Sequence, residues 1–562
     1  MTEWSRFADV LRSHGFTYES PGPRNFGHSF FGSVAPTQFG LVAIDLFFFD
    51  SYLTAFPKAF LRSSESPPQR FRYPHIDEKD QLCYEDGTKV FNRHDPESMV
   101  SFILDQIKST LEIPEADWDA EIFREFKAYW RAAGDEEYFS ELGGINGAAL
   151  AYQLEEGWVG KYLVGQTAPL FNSFASRVKR NRLMPFCIVP IRKLPGIRAV
   201  SWPPKTLLDL QAWMGQIPKV RDRFQKAFRE SVSAGSASFG VLLNCQEPSV
   251  QIGARFVFSE SEARTLRLLA RDPMLFWDHA RKLNPPCTRV LATPLDFARI
   301  FSRNAAAKPF LQERRLVLAG CGTLGGNLAP ILTRSGAGIG KDGLIELVDP
   351  DKYTFENYPR HRMGSHAVGL YKAFELKKEL ERESPYVAIS AFAEPVQSLR
   401  LLAAADVVLD GTGDEATMHW LSRELIIQAK GRGRKVPLLS LWIHGAGDAI
   451  CAFWQAPSGG CHECLRRLAV AKALYPPVSG SHVIDSCQSV YTPYSIDVSL
   501  QCCAQASSAL RMGLASEKTN SFLLMQIYSN GLEGVRLPGA CVCTDIPPDP
   551  DCPACGMNFS QG

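Results

Sequence analysis

The chain has 562 residues, enough for about three or four domains, and its 45% hydrophobic and 22% charged content is an ordinary globular balance. A net charge of +1 gives no overall field for nucleic acid or a membrane surface. No stretch nears the roughly 18 apolar residues of a membrane span, and no basic segment leads into an apolar run at the start, so a cytoplasmic location without a signal peptide is expected. Of fifteen cysteines, ten lie from Cys451 onward, a clustering that points to metal binding or thiol chemistry rather than disulfides.

Trp4 to His14 has the spacing of an amphipathic helix, and Phe39 to Phe49 reads as a buried strand. A polar, irregular stretch follows, broken by Pro67, Pro68 and Pro74. Asp95-Pro96 then opens a helix with Met99, Ile103, Ile107 and Leu111 at helical spacing. A further helix, from about Ala120 to Trp130, carries Phe123, Phe126 and Trp130. Residues 1–135 are therefore read as one α+β unit. Its order of helix, strands, irregular His-to-Cys loop and helices resembles a ubiquitin-conjugating domain. Pro74-His75-Ile76-Asp77, leading to Leu82-Cys83, carries the resemblance, because a His precedes the active Cys by several residues in bacterial conjugating-type domains. The resemblance implies that Cys83 is the thioester-bearing nucleophile. The Asn of the eukaryotic His-Pro-Asn motif is absent, which makes His75 the candidate oxyanion stabiliser. Read without the family, Cys83 is a small residue at a strand end.

Residues 136–304 carry fewer signals. Cys187 to Ile191 and Phe239 to Leu243 are strand-like, and Leu207 to Met214 is helical. The basic run RVKRNR reads as a solvated face. This part is expected to be an α/β linker domain without chemistry of its own.

Leu316 to Ala319 reads as a buried parallel strand, followed by Gly320, Gly322 and Gly325 in G-x-G-x-x-G spacing. A helical stretch from Asn327 to Ser335 and a second strand, Ile345 to Val348, lead to Asp349. This order suits a nucleotide: the glycines admit a phosphate chain at a helix N-terminus and the acid can accept from a ribose. Alone, it fits a dinucleotide oxidoreductase as well. The continuation DPDKYTFENYPRHR, then Lys372, resembles the ThiF/MoeB and ubiquitin-activating enzyme family. What the resemblance implies is ATP held through Asp349, Asn357, Arg360 and Lys372, with Asp351 in the same loop. Further strands are read at Val387 to Ala393 and Asp406 to Leu409. In the family an Asp just after the second of these binds the Mg²⁺ on ATP. Asp414 of Asp410-Gly411-Thr412-Gly413-Asp414 fits best, and Asp410 remains an alternative.

Cys461-x-x-Cys464 and Cys552-x-x-Cys555 supply the four thiolates of a structural zinc site, with Cys541 and Cys543 as competing ligands. Between the pairs, Cys487 precedes Pro493 and a small-residue helix. The family places its reactive Cys in such a loop, so Cys487 is the expected thioester former, with Cys461 and Cys464 as rivals if zinc is absent. Cys502 and Cys503 fall inside the helix and are read as core. An arginine from a homodimer partner is implied for the ATP site, with Arg299 or Arg303 as its source.

The whole is thus read as multidomain: a ubiquitin-conjugating-like unit, a linker, and a Rossmann-like α/β ThiF-type adenylation domain over 305–562. It resembles the fused activating/conjugating proteins of bacterial antiphage CBASS operons. That resemblance implies an ATP-dependent transferase that joins the C-terminus of a protein, a cGAS-like nucleotidyltransferase or a ubiquitin-like protein, to an amine-bearing acceptor. Three other readings are a sulfur-carrier activating enzyme, a dinucleotide oxidoreductase and a non-catalytic scaffold.

Overall fold

The fold, given by a computed structural model, is described for residues 2–19, 27–62, 73–77, 79–85, 91–130, 136–142, 147–154, 162–165, 178–197, 200, 202–233, 237–247, 249–295, 297, 300–301, 310–384, 386–398, 402–478, 483–486, 489–515, 520–530 and 536–556. It forms two compact units, 1–296 and 297–562.

The first unit opens with helix Glu3–Ser13, capped by Thr2, whose side chain accepts from the Ser5 amide. Five antiparallel strands follow in sequential order: Thr17–Tyr18, His28–Val34, Val42–Phe48, Lys58–Leu61 and Gln81–Leu82. Val42–Phe48 alternates between buried and half-buried positions, so Val42, Ile44, Leu46 and Phe48 face the core. Helix Pro96–Thr110 covers that core with Val100, Ile103 and Ile107. Asp95 caps it and Pro96 sits where a missing amide costs nothing.

The helix expected up to Trp130 is two, Trp118–Arg124 and Phe126–Trp130. Ile122, Phe126, Tyr129 and Trp130 share their core with Trp213 and Ile252 of the following part, and the Trp130 Nε1–H donates to the Val290 carbonyl at 3.0 Å. That following part is a closed barrel of seven strands in the order Ser238–Glu247, Val250–Val257, Cys287–Pro294, Glu136–Glu141, Tyr162–Gly165, Gly147–Leu154 and Val178–Lys193. Helices Leu207–Gly215, Pro218–Ser233, Glu260–Leu269 and Pro273–Leu283 flank it. The backbone of the basic run from Val178 lies in the last of these strands, while Arg177 is outside the described residues.

The second unit is built on an eight-stranded sheet. Five strands are parallel, in the order Ile389–Phe392, Leu344–Val348, Arg315–Ala319, Val407–Asp410 and Leu438–His444. Ala449–Gln455, Ser521–Asn530 and Arg536–Ile546 extend it antiparallel. The chain steps from Arg315–Ala319 to one side and then returns to the other, so a crevice opens where these directions part. Helix Thr323–Arg334 starts at that point.

Glycine is needed there for contact rather than mobility. A Cβ on Gly325 would lie 1.8 Å from the Gly320 carbonyl oxygen, whereas one on Gly322 would meet nothing within 4 Å. Gly325→Ala should therefore lower the stability of the second unit by about 1–3 kcal/mol. Gly322→Ala should leave it unchanged, and urea unfolding of both variants checks the contrast.

Candidate functional site

The crevice at the parting of the strands has a volume of about 510 Å³ and is lined by Gly320, Gly322, Asp349, Lys372 and Asp414. Gly320 adopts φ +83° and lies against the Thr412 backbone, so the two strand-end turns touch. Asp349, 5% exposed, accepts from the Cys321 amide at 2.7 Å and the Asp351 amide at 2.8 Å. Burial raises its pKa, opposed by those two amides and by Lys372. The Lys372 ammonium contacts the exposed Asp351 carboxylate at 3.0 Å.

The two candidate acids after the next strand divide their roles. Asp410 is fully buried and accepts from the Thr412 amide and hydroxyl, at 3.0 and 2.7 Å. Burial pushes its carboxyl up to about 6, against the pull of Thr412 and Ser440. Asp414 lines the crevice and caps helix Glu415–Arg432 through one oxygen, which accepts from the Thr417 amide and hydroxyl. Of the two, Asp414 lines the crevice, whereas Asp410 is buried.

Asn357 caps its own short helical turn, accepting from the Thr354 amide at 3.1 Å. The Arg360 guanidinium lies over the Tyr494 ring, 4.5 Å from its centroid, and Tyr494 lines the crevice. Sequence reasoning missed Tyr494 and also His361. The His361 Nε2–H donates to the Cys321 carbonyl at 2.9 Å, while Nδ1 accepts from the Met363 amide at 3.2 Å. This clamps the loop after Asp349 to the glycine turn. Neither residue has a spacing that could announce it.

Cys461, Cys464, Cys552 and Cys555 come together with every sulfur within 4.8 Å of the others. Contacts of 3.8, 3.6 and 3.4 Å join Cys461 to Cys464, Cys461 to Cys552 and Cys464 to Cys555. A tetrahedron with roughly 2.3 Å zinc–sulfur bonds has sulfurs about 3.8 Å apart. The donor set and its dimensions therefore fit zinc. The Asp549 amide donates to the Cys464 sulfur at 3.3 Å, and the Cys461 side chain with that amide lowers the pKa of the Cys464 thiol. Cys541 and Cys543 are exposed and lie on strand Arg536–Ile546, outside the cluster. Cys502 and Cys503 are buried in helix Ile496–Ala515, as core residues. Cys487, Arg299 and Arg303 lie outside the described residues.

In the first unit, a tight hairpin joins His75 to Cys83. The Cys83 amide donates to the His75 carbonyl at 2.9 Å, and Ile76 bridges to Leu82. Cys83 is exposed at its end. Local burial, with Glu125 and Asp77 nearby, pushes its thiol up to about 11, opposed by Lys58. His75 faces Glu121 and Glu125, two acids that sequence reasoning missed. Their four-residue spacing was the available signal, hidden among the apolar positions of the same helical stretch.

Comparison with known proteins agrees with these two units. Residues 8–139 match the prokaryotic E2 family B, and residues 300–541 match the ThiF family. The chain thus carries a conjugating-type match followed by an activating-type match. It is similar to the ATP-dependent ubiquitin transferase-like protein Cap2 of Pseudomonas aeruginosa, 24% identical over 516 residues, with 88% of this chain and 89% of that one covered. The protein of the same name from Vibrio cholerae is 23% identical over 524 residues, covering 84% and 86%. The adenylyltransferase and sulfurtransferase uba4 of Aspergillus fumigatus is 32% identical over 126 residues, 21% of this chain and 24% of that one. Among solved structures, E. coli MccB aligns with a TM-score of 0.34 at 15% identity, over 55% of this chain and 94% of that chain. No helix among the described residues is long and apolar enough to cross a membrane.

Two measurements follow from this geometry. The purified chain should contain stoichiometric zinc by elemental analysis, lost in Cys552→Ser; four freely titrating thiols without zinc would contradict the assignment. His361 is held neutral by burial, with its pKa lowered to about 4 from an ordinary 6.5. Its contribution to stability is therefore present above about 6.5 and is lost as pH falls through about 4, an effect of about 3 kcal/mol. His361→Gln should flatten the pH dependence of urea unfolding across that window.

Proposed function

We propose that this chain activates the C-terminal carboxylate of a partner protein with ATP and passes the acyl group through two thioesters to an amine. The carboxylate attacks the α-phosphate and pyrophosphate leaves. Asp349 faces the ribose, and Asn357, Arg360 and Lys372 hold the phosphates, Lys372 exchanging Asp351 for phosphate oxygen. The work is mainly positioning and charge stabilisation. Mg²⁺ held by Asp414 would neutralise part of the triphosphate charge. The Cys487 thiolate then displaces AMP, and the Cys83 thiolate displaces Cys487, one thioester replacing another at little cost in free energy. An acceptor amine finally takes the acyl group from Cys83 as an amide.

The reading rests on one observation: a single chain carries a glycine-turn crevice furnished with Lys372 and Asp414 and, in its other unit, the exposed Cys83 on the His75 hairpin. The names of the relatives support the same pairing of activation and transfer. The partner protein we favour is a cGAS-like nucleotidyltransferase of an antiphage CBASS operon, with a ubiquitin-like protein as the alternative. The acceptor is a lysine-type amine. The enzyme acts in the cytoplasm as a homodimer, with Arg299 or Arg303 crossing to the partner's ATP, and involves neither nucleic acid nor membrane. A second reading, activation of a sulfur carrier, draws support from the similarity to uba4, but it leaves the Cys83 hairpin without work.

Cys83→Ser and Cys487→Ser, each expressed with the neighbouring genes, test the relay by trapping esters for mass spectrometry. A protein C-terminus esterified to the residue at position 83, and absent when Asp414→Ala is added, is the expected result. An adduct at position 487 with none at 83 would overturn the second transfer. No adduct at either position, with ATP still bound, would favour the sulfur-carrier reading or a scaffold.

A further inference from the structure

His75 is held more firmly than a loop histidine needs to be. Its backbone has φ +64°, a left-handed conformation that costs a non-glycine residue roughly 1–2 kcal/mol. Two hydrogen bonds keep it there: its amide donates to the Tyr129 hydroxyl, and its carbonyl accepts from Cys83. Tyr129 in turn donates to Glu125 Oε2 at 3.2 Å. The imidazole lies between two carboxylates, with Nδ1 2.9 Å from Glu125 Oε1 and Nε2 3.5 Å from Glu121 Oε2. Glu121, Glu125 and Tyr129 are four residues apart, so one side of the helical stretch forms the wall behind the histidine. The other charged groups near the thiol are Asp77 and Lys58.

Two flanking carboxylates would oppose a developing oxyanion and are ill suited to the stabilising role that the family resemblance implies for His75. They are placed to face a positive charge, such as an incoming ammonium or an imidazolium formed during transfer. The transfer from Cys83 has such a proton: a lysine ammonium ionises near 10.4, so at neutral pH the acceptor arrives charged and cannot attack.

We infer that His75 is the general base that deprotonates the acceptor ammonium at Cys83, and that Glu121 and Glu125 are positioning residues that draw in the ammonium and stabilise the imidazolium. The inference rests on the proposed thioester at Cys83. The first ammonium proton passes to His75 Nε2 and then to water. The neutral nitrogen attacks the thioester carbonyl carbon, the carbon–nitrogen bond forms and the carbon–sulfur bond breaks. The second proton leaves the nitrogen for the departing Cys83 sulfur, which the surrounding acids make a ready proton acceptor. The amine is neither oxidised nor reduced, and amide, thiol and one released proton balance the ammonium and thioester.

The test uses the full chain with Cys487→Ser, Cys541→Ser and Cys543→Ser, charged on Cys83 by a short peptide thioester of 2-mercaptoethanesulfonate, so ATP is not required. Mass spectrometry locates the acyl group. The charged protein is then chased at pH 7 with free lysine or with hydroxylamine, which is already neutral. His75→Gln and the double variant Glu121→Gln/Glu125→Gln should slow discharge to lysine on the order of 100-fold, while hydroxylamine discharge proceeds unchanged. Equal slowing with both nucleophiles would indicate a distorted site and overturn the inference, as would an unaltered rate with lysine. Failure of the unsubstituted His75 site to accept the acyl group would overturn the thioester role of Cys83, and the inference with it.

Discussion

The buried carboxylate of Asp349 is the constraint on which the crevice depends. One oxygen holds the first amide after Gly320 and the other holds the loop that leads to Lys372. A buried carboxylate is costly without such partners, so the two segments are fixed by the need to satisfy it. His361 adds a second tie from the same loop to the Cys321 carbonyl. The glycine turn and the loop leading to Lys372 therefore share one frame.

Three environments of the described cysteines stand out. Cys461, Cys464, Cys552 and Cys555 form a closed set of sulfurs, with the Asp549 amide donating to Cys464. Cys321, Cys502 and Cys503 are sealed in the core, and burial pushes their thiols up, Cys502 to about 12. Cys83 is different: it reaches the surface, with Glu125 and Asp77 as well as Lys58 nearby. Thiolate chemistry is disfavoured where neighbouring acids raise a thiol's pKa.

The parts of this architecture governed by local periodicity were legible in the sequence. Helices Glu3–Ser13 and Pro96–Thr110, strand Val42–Phe48 and the strand–glycine–helix start all follow from spacing and caps. The four-cysteine set was legible too, because each C-x-x-C pair is a local signal even though 91 residues separate the partners. The barrel was not. Its strand Glu136–Glu141 pairs in parallel with Cys287–Pro294, and no periodic pattern reports a pairing at that distance. The same reason hid His361, Tyr494, Glu121 and Glu125, which reach across to Cys321, Arg360 and His75. Asp410 and Asp414 share one strand-end turn, and their difference in burial is not written in that spacing.

Nucleotide choice is the most direct test of the account, since Lys372 and Arg360 distinguish an ATP crevice from a dinucleotide fold of similar shape. Equilibrium titration of the full chain with Mg·ATP and with NAD⁺ would decide it. Binding of ATP but not NAD⁺, weakened roughly tenfold or more by Lys372→Ala through loss of a charge-assisted hydrogen bond, is the predicted result. Preference for NAD⁺, or ATP affinity indifferent to Lys372→Ala, would contradict it.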